Sequence, residues 1–187
     1  MSGLMSIQAA GSGSAAGFDT PLALLAECHR RVERQCATLR RLVPHLAAQG
    51  SDSAAAEAAS AVLRYFDVAA PKHHADEEED LFPALFEAVA GSDAVCLRGI
   101  IDRLSDEHRM LEGQWQALRA VLEQVAARRP ARLDAAAVEA FAGLYAAHIA
   151  LEEGELLPMA QRLLPDDATA RIGQAMRARR GDGAARP

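Results

Sequence analysis

A histidine followed four residues later by a glutamate occurs three times in this chain, as His73 and Glu77, His108 and Glu112, and His148 and Glu152. On a helix, residues four apart stand one above the other on the same face, so each pair offers an imidazole nitrogen and a carboxylate oxygen together. That donor set suits a transition-metal ion. Two copies share more than the pair: Leu81-Phe82-Pro83 follows His73 at the same offsets as Leu156-Leu157-Pro158 follows His148. This register selects His73 as the inward residue over its neighbour His74. The face of His74 (Leu63, Asp67, Ala70, Glu78) is more polar than that of His73 (Val62, Phe66, Ala69, Glu77, Leu81, Leu85).

Helices must position these pairs, and the apolar spacing supplies them. Asp19-Thr20-Pro21 reads as a helix start, with Thr20 as N-cap and Pro21 in the first turn. The stripe Leu22, Leu25, His29, Val32, Cys36, Leu39, Val43, Leu46 follows, weakened at Pro44 and ended by Gly50. His29 lies in mid-stripe. Ser51-Asp52-Ser53 caps a second helix reaching about Val89, with a kink or break expected at Pro71 and a disturbance at Pro83. Gly91-Ser92-Asp93 marks a turn, and a third helix carries Leu97, Ile101, Leu104, His108, Leu111, Trp115, Leu118, Leu122 and Val125 until Pro130. A fourth begins near Asp134 with Val138, Phe141, Tyr145, His148, Glu152, Leu156 and Met159; a short fifth is expected at about Asp167 to Arg179. Connections this short predict antiparallel neighbours: an all-α, up-down-up-down four-helix bundle with a short C-terminal extra helix. The expected organisation is a disordered leader (1–19), the bundle (20–165), and a short helix with a basic tail (166–187).

The chain of 187 residues is half apolar with 4% aromatics, enough for one domain with a sizeable core built from leucine and small residues. A net charge of -6 without a basic stripe argues against nucleic acid, which demands clustered cations. The basic run Arg177 to Arg180 is too short to change that. Cys28, Cys36 and Cys96 cannot all pair and lack CxxC spacing, which fits a reducing cytoplasm. Residues 1–17 lack the basic and apolar regions of a secretion signal, and no membrane-spanning run is expected.

Four helices therefore each offer one inward histidine, His29, His73, His108 and His148. With two or three glutamates they exceed the needs of one tetrahedral zinc. The count suits two octahedral ions bridged by carboxylates, Glu77 and Glu152 being the bridges, with one or two positions left for solvent or a small ligand. Iron, manganese and zinc all accept such donors.

His29, then HHADEEEDLFP (His73 to Pro83), EHRMLE (Glu107 to Glu112) and HIALEEGELLP (His148 to Pro158) together resemble the hemerythrin-like, or HHE cation-binding, domain over roughly residues 20 to 165. The resemblance implies a four-helix bundle holding a non-haem di-iron centre, two iron ions with carboxylate and oxo bridges. His29, His73, Glu77, His108, His148 and Glu152 match the family's ligand positions. Oxygen-carrying hemerythrins place a fifth histidine four residues after the third-helix histidine, where this chain has Glu112. They place an aspartate five after the fourth-helix histidine, where it has Glu153, with Glu152 one earlier. An added carboxylate favours the ferric state, so redox reactivity or iron holding is expected over reversible carriage.

The functions this implies are binding or sensing of a small oxidant (oxygen, nitric oxide or peroxide) or holding of iron. The alternatives are a di-iron enzyme acting on peroxide, nitric oxide or Fe²⁺, including repair of iron centres, and a metal-free helical interaction module. No protein partner is readable. Glu112 stands open between a ligand and a residue that either hydrogen-bonds a ligand or faces solvent. The run from His74 through Asp76, Glu78, Glu79 and Asp80 reads as a solvated face, with an iron route as the alternative. Tyr145 and Trp115 share faces with the histidines and read as core, with hydrogen bonding to a ligand or electron transfer as the sharper role. His45 reads as a surface residue, Cys36 as a buried hydrophobe, and Cys28 as redox-active only if exposed.

Overall fold

The computed structural model describes residues 16–89 and 92–181, so most of the expected leader and the last six residues lie outside the described residues. The described residues are helical throughout, without strands. Helix α1 spans Pro21–Gln49, α2 the run 53–88, α3 Ser92–Ala126, α4 Ala135–Leu163 and α5 Asp166–Arg179. Helix α1 packs on α2 and α4, and α3 packs on α2 and α4, so the four long helices meet in a ring.

The ends follow from local chemistry. Pro21 opens α1, but the Thr20 hydroxyl turns back to the Gly17 carbonyl (3.2 Å) instead of capping the helix. Gly50, at φ 69°, closes α1 through its N–H to Leu46 O. Pro44 does not interrupt it. The carboxylates of Asp52 and Asp134 accept from Ala55 N (2.8 Å) and Ala136 N (3.0 Å), satisfying free N–H groups at the starts of α2 and α4.

Where a break was expected at Pro71, the helix instead widens. Residues Tyr65–Ala69, Asp76–Leu81 and Glu152–Leu156 form π-helical turns. The α-helical stretch that follows each has proline as its second residue, at Pro71, Pro83 and Pro158. Proline removes an N–H and crowds the carbonyl four residues earlier; a wide turn just before it relieves both without ending the helix.

The interior is layered. One apolar cluster contains Val32, Leu39, Val62, Phe66, Trp115, Leu122 and Phe141. The other contains Leu25, Leu81, Leu85, Leu104, Leu156, Ile172 and Met176. Between them lies a buried polar layer formed by His29, His73, Asp76, Glu77, Glu107, His108, His148 and Glu152. By length and composition α4 is long and apolar enough to cross a membrane, contrary to the expectation that no run is. Its Phe141, Tyr145, Ile149 and Leu156 are nevertheless buried with the core residues of the other helices.

Helix α5 crosses α1 and the second π turn of α2. Gly173 permits the close approach: a Cβ there would sit 2.0 Å from the Phe18 carbonyl oxygen. Arg179, at the end of the expected fifth helix, and Arg180 just after it are both bound to α2. Asp76, 0% exposed, accepts from Arg179 Nη1 (2.5 Å) and from Arg180 Nη1 and Nη2 (3.0 and 2.5 Å).

Candidate metal centre

The buried layer gathers two donor groups. His29, His73, Glu77 and Glu152 each direct one ligand atom to a common region, all within 4.8 Å of one another; so do Glu77, His108, His148 and Glu152. His74 forms a third set with His108 and His148 at the same separation. The sets overlap, and the two carboxylates belong to both sides. Six of the seven residues singled out in the sequence therefore meet here. Glu112 does not: it is exposed, because α3 is plain α-helix there and two consecutive steps of four, Leu104 to His108 to Glu112, drift off the buried face, which continues through Leu111 and Trp115.

The π turns begin at or next to the glutamate of each converging pair and keep its face buried further along the helix. His73, Glu77, Leu81 and Leu85, and likewise His148, Glu152, Leu156 and Ala160, are spaced strictly in fours and are all buried. In an α-helix that repeat would drift around the axis; a π turn, bonded i to i+5, absorbs it.

Distances within the cluster are short. His29 Nε2 is 2.9 Å from Glu152 Oε2, and His148 Nε2 is 3.2 Å from Glu152 Oε1. His73 Nε2 is 3.3 Å from Glu77 Oε1, and His108 Nε2 is 3.4 Å from Glu77 Oε2. His108 and His148 bring their Nε2 atoms to 3.2 Å. Yet His29 Nε2, His74 Nε2, Glu77 Oε2 and both Glu152 oxygens are buried without an aligned hydrogen bond. Buried polar atoms are normally paired, and here the unpaired ones face one another. This is the arrangement expected where a cation takes the remaining lone pairs, so the residues fit a metal.

A second ring of carboxylates holds three of the imidazoles from behind. His29 Nδ1 lies 2.9 Å from Glu153, His108 Nδ1 2.6 Å from Glu78 and His148 Nδ1 3.0 Å from Glu107. Arg103 fixes Glu107 in turn, at 2.8 Å. Metal-bound histidines characteristically donate the far N–H to such a group, which fixes the tautomer and leaves Nε2 as the donor to metal. Glu153, Glu78 and Glu107 thus all acquire roles that sequence spacing alone did not give them.

Titration divides the site. Burial pushes His73 down to about 3, and holds His74 well below its ordinary value with help from the His108 charge. Burial also lowers His108, against the opposing pull of Glu78. Burial acts the same way on His29 and His148, but Glu152 outweighs it in both, aided by Glu153 and Glu107 respectively, and both rise. Glu77 is raised well above the carboxylate range by burial and by neighbouring Glu152. Glu152 is held well below it, the pull of His148 and His29 overcoming burial. Three neutral imidazoles and a shared carboxylate pair suit a dication, which would displace the proton on Glu77.

His74 is the residue the sequence reading passed over. Its ring stacks on His108, centroids 4.0 Å apart and 12° between planes. The signal was present as the His73-His74 dipeptide with Glu77 and Glu78 four residues on: adjacent helical residues diverge by about 100°, enough to address two ions side by side. A cavity of about 370 Å³ between α2 and α3 reaches this point, lined by His74, His108, Tyr145, Trp115, Glu78 and Glu112 among others. Tyr145 is 6.2 Å from His74 and 6.4 Å from His148, ring to ring, and burial holds its phenol well above the usual range. Cys28 is buried and its thiol is raised by that burial, so it is no exposed redox group. His45, at a helix end as expected, binds Asp52 at 2.9 Å.

A helical protein with a buried histidine and glutamate cluster of this form is a candidate metal-binding protein of the hemerythrin-like class. The family model for the hemerythrin HHE cation-binding domain matches residues 20–160, and the chain belongs to that family. It is also similar to an uncharacterised protein of Haemophilus influenzae (strain ATCC 51907 / DSM 11121 / KW20 / Rd), 34% identical over 165 residues, which cover 88% of this chain and 92% of that one.

Proposed function

We propose that this chain is a non-haem di-iron protein of the cytoplasm, an up-down-up-down four-helix bundle that binds or senses a small oxidant (oxygen, nitric oxide or peroxide) or holds iron. The observation that carries the reading is that Glu77 and Glu152 each stand in both donor groups, the placement of carboxylates that bridge two ions. His29 and His73 would hold one ion and His74, His108 and His148 the other, with Glu153, Glu78 and Glu107 orienting three of the rings. Imidazole and carboxylate together suit iron, with zinc or manganese as competitors. When bound, iron would supply a redox-active Lewis acid reached from the cavity beside His74 and His108.

One observation favours the enzyme alternative. Tyr145 stands in the cavity wall, its ring 6.2 Å from that of His74 and 6.4 Å from that of His148, and burial keeps its phenol protonated as a hydrogen-bond donor. Turnover of peroxide or nitric oxide that falls in Tyr145→Phe would select that alternative.

The deciding experiment is elemental analysis of iron, zinc and manganese per chain on protein purified without added metal, with a visible absorption spectrum. Near two irons per chain with ferric charge-transfer bands is the expected result; no bound metal even after anaerobic Fe²⁺ loading refutes the reading.

A further inference from the structure

The third histidine and glutamate pair has no place in the cluster, since Glu112 points to solvent while His108 points in. We propose that this pair serves metal uptake: the cavity between α2 and α3 admits a hydrated divalent transition-metal ion, and Glu112 at its mouth takes the ion from solvent. The proposal rests on the reading of the cluster as a metal centre. It adds the route by which that centre fills.

Size is the first argument. The cavity measures about 370 Å³. Six waters at about 30 Å³ each amount to roughly 180 Å³, so an ion with its inner hydration shell fits, whereas a diatomic ligand needs far less room. Charge is the second. Glu78, Glu79, Glu112 and Asp67 line the cavity against one cation, Arg109, which is drawn aside to Asp106 at 2.5 Å. Three of those carboxylates are committed: Glu78 to His108, Glu79 to Arg179, and Asp67 to Trp115 and Arg119. Glu112 alone among them has no partner in the described residues.

The inner end supplies the third. His74 lines the cavity, and its Nε2 is fully buried without a hydrogen-bond partner, a waiting donor one step before the shared carboxylates. Between α1 and α2 the wall is cationic instead. There a cavity of about 220 Å³ is lined by Arg31, Lys72 and Arg180 with no carboxylate in its wall. A dication approaching that side is repelled; one approaching Glu112 is attracted.

An uptake residue and a ligand differ in what they change. A group that stabilises the ion in transit speeds arrival and departure alike and leaves affinity unaltered; a ligand changes affinity. The test uses the metal-free full chain and Co²⁺, whose visible bands report binding without redox chemistry. Loading is followed by stopped flow, release by transfer to a chelator, and stoichiometry by titration. Glu112→Gln is expected to slow both loading and release about three- to tenfold at low salt, to lose that difference in high salt, and to keep the wild-type stoichiometry and affinity. Glu57→Gln, the same charge change on an exposed residue of α2 away from the cavity, is expected to load at the wild-type rate. Wild-type loading in Glu112→Gln, or an equal slowing in Glu57→Gln, overturns the route. A lowered stoichiometry or affinity with unchanged loading overturns it in favour of Glu112 as a ligand. Wild-type protein that binds no Co²⁺ or Fe²⁺ at all overturns the metal centre itself, and the route with it.

Discussion

Asp76 precedes the shared carboxylate Glu77 and is wholly buried, yet it is an aspartate and receives three contacts from two guanidinium groups of α5. Removing either arginine alone leaves it paired. Arg179→Ala forfeits one charge-assisted bond to Asp76 and two to Glu79 and Asp80, of which the Glu79 bond is to an exposed carboxylate and worth little, so about 1 to 1.5 kcal/mol is expected. Arg180→Ala should cost a similar amount, because Arg179 still holds one Asp76 oxygen. The double variant strands a carboxylate at 0% exposure beside Glu77, and an unpaired buried charge costs about 3 to 5 kcal/mol. The two single effects sum to about 2 to 3 kcal/mol, so a coupling of roughly 1 to 2 kcal/mol is expected in the double-mutant cycle. Urea unfolding followed by circular dichroism on the metal-free chain measures it. Adding Asp76→Asn to the double variant should recover most of the loss, since a neutral amide carries no stranded charge. Additivity within about 0.5 kcal/mol, or no recovery with Asp76→Asn, would refute the claim that two arginines jointly neutralise Asp76.

Three further outcomes follow from the site. His74→Ala should lower metal bound per chain toward one ion, read by elemental analysis after dialysis, whereas retention of two would remove His74 from the ligand set. Glu107→Gln leaves the imidazole of His148 without its anionic support and should weaken metal binding about 10- to 100-fold in competition with a chromophoric chelator, with little change in the fold. The metal-free chain should also lose stability in mild acid. His73 and His74 are held below their unfolded value of about 6.5, so their stabilisation is present above that pH and lost as pH falls toward their native values. His108 is lowered in the same sense and Glu77, raised, opposes it, so the unfolded chain binds about two protons more than the native one and the slope approaches about 2.7 kcal/mol per pH unit by pH 5. His29 and His148 shift the other way and oppose that slope only slightly, near pH 6, where the unfolded histidine is already mostly protonated. A flat dependence of unfolding free energy from pH 6.5 to 5 would show that these two rings are not buried neutral.

Periodicity made the helices readable, because every residue of the α3 stripe from Leu97 to Val125 that was expected inside is buried, and the α4 stripe from Val138 to Leu156 likewise. It failed at the site for one physical reason. Pattern reasoning assumes a constant turn, and α2 and α4 change theirs within the motif, at Tyr65–Ala69, Asp76–Leu81 and Glu152–Leu156. On α2 the change moves the buried alanine from Ala69 to Ala70 and turns His74 from an apparently polar face toward the second donor group. On α3, where the turn stays constant, the same four-residue spacing sends Glu112 outward. Motif identity therefore did not determine geometry: the two pairs that meet are followed ten residues after the histidine by proline, and the pair on α3 is not. A histidine and glutamate pair four apart here joins the buried cluster where a wide turn and a proline follow it, and stays a core histidine with a surface carboxylate where plain α-helix follows.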